Sequence, residues 1–339
     1  MKKDKTKKKR TNEYDYLHIS ARIHALENRL LTRERMERML SARSVEEAAK
    51  VLAECGYGEF PSLTPTAIEH VLDQTRCALF SELYRDVPNP AILDVFCIKY
   101  DYHNAKVLLK AEATGQSPDK LLLDAGRYPA QRLKEDYLQM DLDRYSSIFS
   151  QAVEQAKDLL ASSGDPQAAD FLLDQAHFEE LLETAKAARS SFLQGYVRLL
   201  IDATNLRSAV RAARMGKGSD FLRRVLLPNG DIQIDGLLAA GSGGADLAGI
   251  FAHTYLTAAA QEGAAVMRGG SLTGFERLCD DAVMHYLAQA RRIPFGEQAV
   301  IGYLYARESE FTAIRTILSG RMAGLDADTI RERLREAYV

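Results

Sequence analysis

Three stretches decide the fold of this chain: YDYHNAKVLLKAEATGQ (Tyr100–Gln116), LIDATNLRSAVRAARMGKG (Leu200–Gly218) and ARESEFTAIRTILSGRMAG (Ala306–Gly324). Each sets an acid and a base at the same offsets, and the first two set an amide between them. The first has Asp101, Asn104 and Lys106, and the second Asp202, Asn205 and Arg207. The third has Glu310 and Arg315, with Ala313 at the amide position. The acids lie 101 and 108 residues apart. After the first two signatures comes an echo, LLLDAGRY (121–128) and VLLPNGDI (225–232), each a leucine run ending in a glycine turn. This period is too long for a two-helix solenoid repeat. It predicts three similar helical lobes closing around a common axis as a pseudo-threefold funnel, an all-α fold. The units are expected at 14–128, 129–235 and 236–339, behind a disordered basic tail at 1–13.

Inside each signature the acid and amide are three residues apart and share a helix face, while the base lies well round the helix. Two roles follow. The repeated residues can bond within the chain, the bases pairing with Asp101, Asp202 and Glu310 to hold helices together. Alternatively Lys106, Arg207 and Arg315 line a cavity that receives a partner, and are the candidate partner-binding residues.

The rest of the sequence agrees with helix. Hydrophobic residues are 46% and charged residues 27%, the composition of a soluble globular chain. Ala, Leu, Glu and Arg dominate, which favours helix by summed propensity. Ser44-Val45-Glu46-Glu47 reads as a capping box with Gly56 ending the turn. Thr64-Pro65, Asn89-Pro90, Ser117-Pro118 and Asp165-Pro166 each set a capping side chain before a proline at a helix start. Loops are expected at 87–90, 162–166, 228–230, 241–244 and 292–297.

Cys55, Cys77, Cys97 and Cys279 are too scattered for a metal site or disulfide framework and read as reduced thiols of a cytoplasmic protein. The best membrane-span candidate, Leu247–Ala260, is too short and runs into Gln261 and Glu262. Membrane contact is therefore expected to be peripheral. Net charge is −3, but residues 1–10 hold seven Lys/Arg and one Asp, which leaves about −9 on the remainder. The basic tail could meet anionic headgroups. The remainder has no basic stripe with interleaved aromatics, which argues against nucleic-acid binding.

No catalytic motif stands out. The one Gly-Lys pair, Gly216-Lys217, lacks phosphate-loop spacing. Asp15/His18 and Asp174/His177 have helical spacing but lack the further carboxylates of a helical di-iron site. Asp280-Asp281 with His285 reads as solvated helix surface. No metal or cofactor is expected. The competing functional class is an all-α enzyme with a pocket lined by Asp101, Asn104, Asp202, Asn205 and Glu310, which requires those groups to converge.

The order of motifs from Tyr14 to Val339 resembles the C subunit of archaeal and bacterial A/V-type ATPases, which is similar to the eukaryotic d subunit. The likeness is carried by Tyr16, Ala21, Arg22, Ala25, Glu27, Leu30 and Leu31 near the start. It continues in KYDYHNAKVLLKA, in Ile201–Arg207, in ARRIPFGEQAVIGYLYARESEFTAIRTILSGRMAG and in the final IRERLREAYV. Ala313 departs from the family's usual Asn, and His24 stands where Arg is common. The resemblance implies a non-catalytic rotor adaptor, a monomer when isolated. It would seat the central stalk on the membrane proteolipid ring and couple ATP turnover to ion transport.

Overall fold

The computed structural model describes residues 11–241, 244 and 246–339. Most of the basic tail, Ser242 and Gly243 of the expected 241–244 loop, and Ala245 just after it lie outside them. Among the described residues there is helix and no strand. The first part of the chain forms α1 (Leu17–Glu27), α2 (Arg33–Ser41), α3 (Val45–Lys50), α4 (Pro65–Asp86) and α5 (Ala91–Thr114). The middle forms α6 (Ala130–Gln139), α7 (Ser147–Ser163), α8 (Pro166–Ala188), α9 (Ser191–Arg214) and α10 (Ser219–Val225). The remainder forms α11 (Ile234–Gly241), α12 (Leu247–Ile250), α13 (Thr257–Met267), α14 (Leu272–Ala288), α15 (Glu297–Met322) and α16 (Ala327–Arg331). Single 3₁₀ turns stand at Glu13–Tyr16, Val51–Cys55 and Gln289–Arg292.

The proline-led starts divide two and two. Thr64 Oγ1 accepts from Ala67 N at 3.3 Å and Asp165 Oδ1 from Gln167 N at 2.9 Å, so α4 and α8 begin as expected. At α5 Pro90 itself is the cap, and Asn89 instead donates Nδ2 to Ala188 O at 3.0 Å. Its amide is used to tie two loops together. Ser117-Pro118 opens only a turn. The capping box at α3 is also altered: Ser44 accepts from Glu47 N, but Glu47 reaches back to Arg43 N at 2.7 Å. The apolar stretch 247–260 breaks into α12, a turn and the start of α13. Among the described residues no helix is long and apolar enough to cross a membrane.

Two hydrophobic cores result. The larger runs from Tyr16 and Ile23 through α5, α7, α8, α9, α13 and α14 to the first half of α15. The smaller one joins the two ends of the chain. Met36, Met39, Leu40, Leu52, Tyr57, Ile68 and Leu72 pack on Phe311, Ile314, Ile317, Leu318 and Ile330. Burying each of these aliphatic side chains contributes about 1.5–3 kcal/mol. The long loop between the chain ends is closed by contact energy of this kind. All four cysteines are free thiols, three of them buried.

Candidate functional site

The first two signatures do the same local job. Asp101 is fully buried on α5. Its Oδ1 accepts from Arg127 N at 3.0 Å and Tyr128 N at 3.4 Å, and its Oδ2 from Arg127 Nε at 2.7 Å. One turn on, Asn104 exchanges both bonds of one peptide: Leu123 N donates to its Oδ1 at 2.9 Å, and its Nδ2 donates to Leu123 O at 2.8 Å. On α9, Asp202 accepts from Asp231 N at 3.0 Å and Ile232 N at 3.1 Å. Asn205 grips Leu227 through the same pair of bonds, at 2.7 and 2.8 Å.

The leucine–glycine echo is thus the partner of the acid–amide pair, and sequence reasoning saw both halves without joining them. The glycine is a steric necessity. A Cβ on Gly126 would stand 2.1 Å from Asp101 Oδ1, and one on Gly230 would stand 2.1 Å from Asp202 Oδ1. The two closures differ in one respect. Arg127 adds a guanidinium to the first and extends it to Glu180 at 2.8 Å, whereas Asp231 stands at the matching place in the second. Burial pushes the carboxyls of Asp101 and Asp202 up to about 6, opposed by Arg127 in one and by the backbone N–H groups in the other.

The third signature closes differently. Glu310, buried on α15, takes Leu31 N at 2.5 Å on Oε2 and the Tyr57 hydroxyl at 2.6 Å on Oε1, with Arg307 beside it. Leu30-Leu31 supplies the leucine run, but from the start of the chain. Arg35 holds it from the other side, donating to Leu30 O at 2.6 Å. The longer Glu side chain reaches a peptide that no following loop provides, and Ala313 leaves the amide grip out.

The bases do not pair with their own acids. Lys106 meets Asp174 of α8 at 2.6 Å, Arg207 meets Glu276 of α14 at 2.9 Å and also Asp280, and Arg315 meets Glu69 of α4 at 2.7 Å. Asp174 precedes Asp202 by 28 residues, Asp280 precedes Glu310 by 30, and Glu69 precedes Asp101 by 32. Each base therefore reaches the helix that leads into the next signature helix, and the last returns to the first. The helices α4, α5, α8, α9, α14 and α15 touch in that order and close on themselves. An acid about thirty residues upstream of each signature was the sequence signal for these partners.

Asp101, Asn104, Asp202, Asn205 and Glu310 consequently face separate loops and do not assemble one pocket. Asp174 is held by Lys106, and Asp15 caps the first 3₁₀ turn through Asn12 N at 2.8 Å. Among the described residues no cluster could hold a metal ion. The reading of Asp280-Asp281 with His285 as solvated surface is corrected at Asp281 alone, since Asp280 is half-buried and His285 exposed. Asp281 is buried and accepts from Glu336 N at 2.9 Å, while Asp280 bonds Arg207 and, at 2.5 Å, Arg335. The chain end folds back over α14, burying Asp281 and leaving Asp280 partly exposed between two guanidinium groups.

Two of the open hollows lie toward opposite ends of α15. Near its C-terminal end a groove of about 720 Å³ is lined by Arg211, Arg315, Arg333 and Arg335, against the single acid Glu276. At its N-terminal end the loops leading into α5, α9 and α15 converge. The rise of an α-helix puts Arg315 about 27 Å from Glu297.

Comparison with known proteins matches the family described as ATP synthase (C/AC39) subunit to residues 19–333. The chain is 24% identical to the C subunit of the A-type ATP synthase of Methanocaldococcus jannaschii, over 94% of this chain and 86% of that one. It is 24% identical to the C subunit of the V-type sodium ATPase of Enterococcus hirae, over 96% and 99%. A third relative, from a Desulfurococcus species, is 21% identical over 94% and 90%. With the match running almost end to end, the chain belongs to the ATP synthase (C/AC39) subunit family, as the C subunit of an A/V-type enzyme.

Proposed function

We propose that this protein is the non-catalytic adaptor of the rotor, a socket joining the central stalk to the membrane proteolipid ring. ATP hydrolysis or synthesis would thereby be coupled to ion transport. The observation that carries the reading is the family match over residues 19–333. In this proposal residues 14–128, 129–235 and 236–339 are three lobes of a pseudo-threefold funnel on the cytoplasmic face, touching the membrane peripherally. The closed circuit of six helices supports such an arrangement. So does its mechanical sense: close-packed helices deform little, and a ring of ion pairs ties each lobe to the next against twisting.

The arginine-lined groove at the C-terminal end of α15 suits an acidic foot of the stalk, and Arg315 contributes to it. Lys106, Arg207 and Arg315 are all held by intramolecular acids, so in this reading all three stiffen the socket, and of the three Arg315 also lines the groove. The test uses the assembled enzyme with and without this protein. ATP hydrolysis by the soluble motor should continue without it while ATP-driven ion transport falls to background. Transport that persists in full in its absence would end the adaptor reading. The isolated protein should sediment as a monomer.

A further inference from the structure

The chain has six asparagines, and the fold occupies five of them. Asn104 and Asn205 grip leucine peptides, and each is followed by a residue inside its own helix. Asn89 donates to Ala188 O and precedes Pro90, which has no N–H. Asn12 caps the first 3₁₀ turn, accepting from Tyr14 N at 2.9 Å. Asn28 ends α1 with its amide turned back on the carbonyls of His24 and Ala25. Asn229 is the exception. Its side chain is exposed and bonds none of the described residues, and it alone is followed by glycine.

Asn229 stands in the loop that closes the second tie. Pro228 precedes it and its own φ is 69°, which match the sequence and backbone of a type II turn. A closed turn of that kind would join Leu227 O to Gly230 N. In this loop Leu227 O accepts from Asn205 Nδ2 at 2.8 Å instead, and among the described residues no oxygen accepts from Gly230 N. Glycine also lacks the Cβ that would crowd that nitrogen. An unbonded backbone nitrogen therefore follows a free carboxamide, which reaches it by rotating about its own side-chain bonds.

We propose that Asn229–Gly230 is a site of spontaneous deamidation, and that the reaction undoes the second tie. The Gly230 nitrogen loses its proton and attacks Asn229 Cγ. The new N–Cγ bond closes a five-membered succinimide as the Cγ–Nδ2 bond breaks, and Nδ2 leaves as ammonia with a proton equivalent to the one Gly230 lost. Water, the only co-reactant, then opens the ring. Addition at Cγ gives aspartate on an unchanged backbone. Addition at the main-chain carbonyl of residue 229 gives isoaspartate, whose backbone runs through Cβ and Cγ and is one atom longer.

That extra atom falls between two fixed points. Leu227 is held by Asn205 at 2.7 and 2.8 Å, and Asp231 and Ile232 are held by Asp202 at 3.0 and 3.1 Å. Only residues 228–230 connect them, and Gly230 has no room to move inward, since a Cβ there would already stand 2.1 Å from Asp202 Oδ1. Both products also add a carboxylate near Asp202 and Asp231, where Arg198 is already paired with Asp231 at 2.9 Å. The first tie is built without this weakness. LLLDAGRY has Ala125 where VLLPNGDI has Asn229, so its loop has no amide to lose. The proposal concerns the chain itself and is independent of the socket reading.

The test is to age the purified chain for days at body temperature and mildly alkaline pH, which speeds loss of the proton from Gly230 N. Tandem mass spectrometry of its peptides then locates each converted amide, and ion exchange isolates the converted chain by its added negative charge. Conversion at Asn229 should exceed that at Asn12 and Asn28 by about tenfold or more. The isoaspartyl fraction should melt about 5 °C below the fresh chain. Asn229→Gly, which accepts the positive φ and has no amide, should age without that shift. Fresh Asn229→Asp, with the charge but not the extra atom, should lose less than half as much.

Conversion at Asn229 more than about a hundredfold slower in the native chain than in the guanidinium-unfolded one would show that the fold protects the site, and would overturn the proposal. So would conversion at Asn12 or Asn28 as fast as at Asn229. An isoaspartyl fraction that melts with the fresh chain would overturn the effect on the tie. If fresh Asn229→Asp melts as low as the isoaspartyl fraction, charge rather than backbone length is responsible and that part of the proposal fails. If Asn229→Gly loses as much on ageing as the original chain, the damage lies elsewhere.

Discussion

The first two signatures and the third reach the same end by different routes. At Asp101–Asn104 and Asp202–Asn205 the helix is tied to a loop that follows it by 19 to 30 residues. At Glu310 the tie spans 279 residues to Leu31 and 253 to Tyr57. A local tie forms against a small loop-closure cost, whereas a tie between the chain's ends is made late and against a larger one. The third closure carries compensating strength. It has a buried acid with a guanidinium beside it, a tyrosine hydroxyl, and a hydrophobic core of its own from Met36 to Leu72 on one side and Phe311 to Ile330 on the other. The circuit is only as rigid as this joint.

The largest effect should therefore come from breaking it. Glu310→Gln leaves Arg307, itself 8% exposed, without its carboxylate in a buried setting. Losing one partner of such a pair costs about 3–5 kcal/mol. Chemical denaturation followed by circular dichroism should show that loss. A change below about 1 kcal/mol would mean that the apolar contacts alone hold the ends together.

Next come the local ties, where an amide or a glycine is replaced. Asn205→Ala strands both the N–H and the C=O of Leu227, and Gly230→Ala drives a methyl into Asp202. Each should cost about 2–4 kcal/mol. The same substitutions in the first tie, Asn104→Ala and Gly126→Ala, should cost a similar amount if the two closures are equivalent. A twofold smaller cost at the first would credit Arg127 with holding the loop unaided.

A smaller effect lies in pH. The folded carboxyl of Asp202 titrates at about 6 against an ordinary value of 3.8, raised by burial. The folded state thus holds a proton that the unfolded state releases. The stability this gives is complete below about pH 4 and is lost as pH rises to about 6. The stability of the original chain minus that of Asp202→Asn should accordingly fall across this window, by up to about 3 kcal/mol. A flat difference would show that the two backbone N–H groups compensate burial in full.

Much of this was legible in the sequence. Helix content, the repeat and the family likeness were all written in local patterns. The partners were not, because they depend on which surfaces meet. Lys106, Arg207 and Arg315 have acids nearby in sequence, yet each bonds an acid 68 residues or more away. Asp281 reads as solvated until the chain end covers it, and Asn89 reads as a cap until Ala188 is brought alongside. The echo after each signature was visible, but its purpose needed the peptide of Leu123 or Leu227 held against the helix.

The smallest effect sharpens the comparison most. Ala313 occupies the place that Asn104 and Asn205 fill in the other signatures, so Ala313→Asn restores the repeat pattern in sequence. If pattern alone made the tie, the variant would gain stability. The structure predicts otherwise. Asn104 and Asn205 each grip a leucine peptide in the loop that follows, while the third tie presents Leu31 N to Glu310 and Leu30 O to Arg35. Both groups are already taken. The new amide would enter the cavity of about 260 Å³ beside Ala313 and Thr312 and bond water there. Its stability should stay within about 1 kcal/mol of the original, on either side. A gain above that would reveal an unfilled peptide awaiting an amide, and the third closure would then be a damaged copy of the first two. No gain leaves it a distinct joint, made from the two ends of the chain.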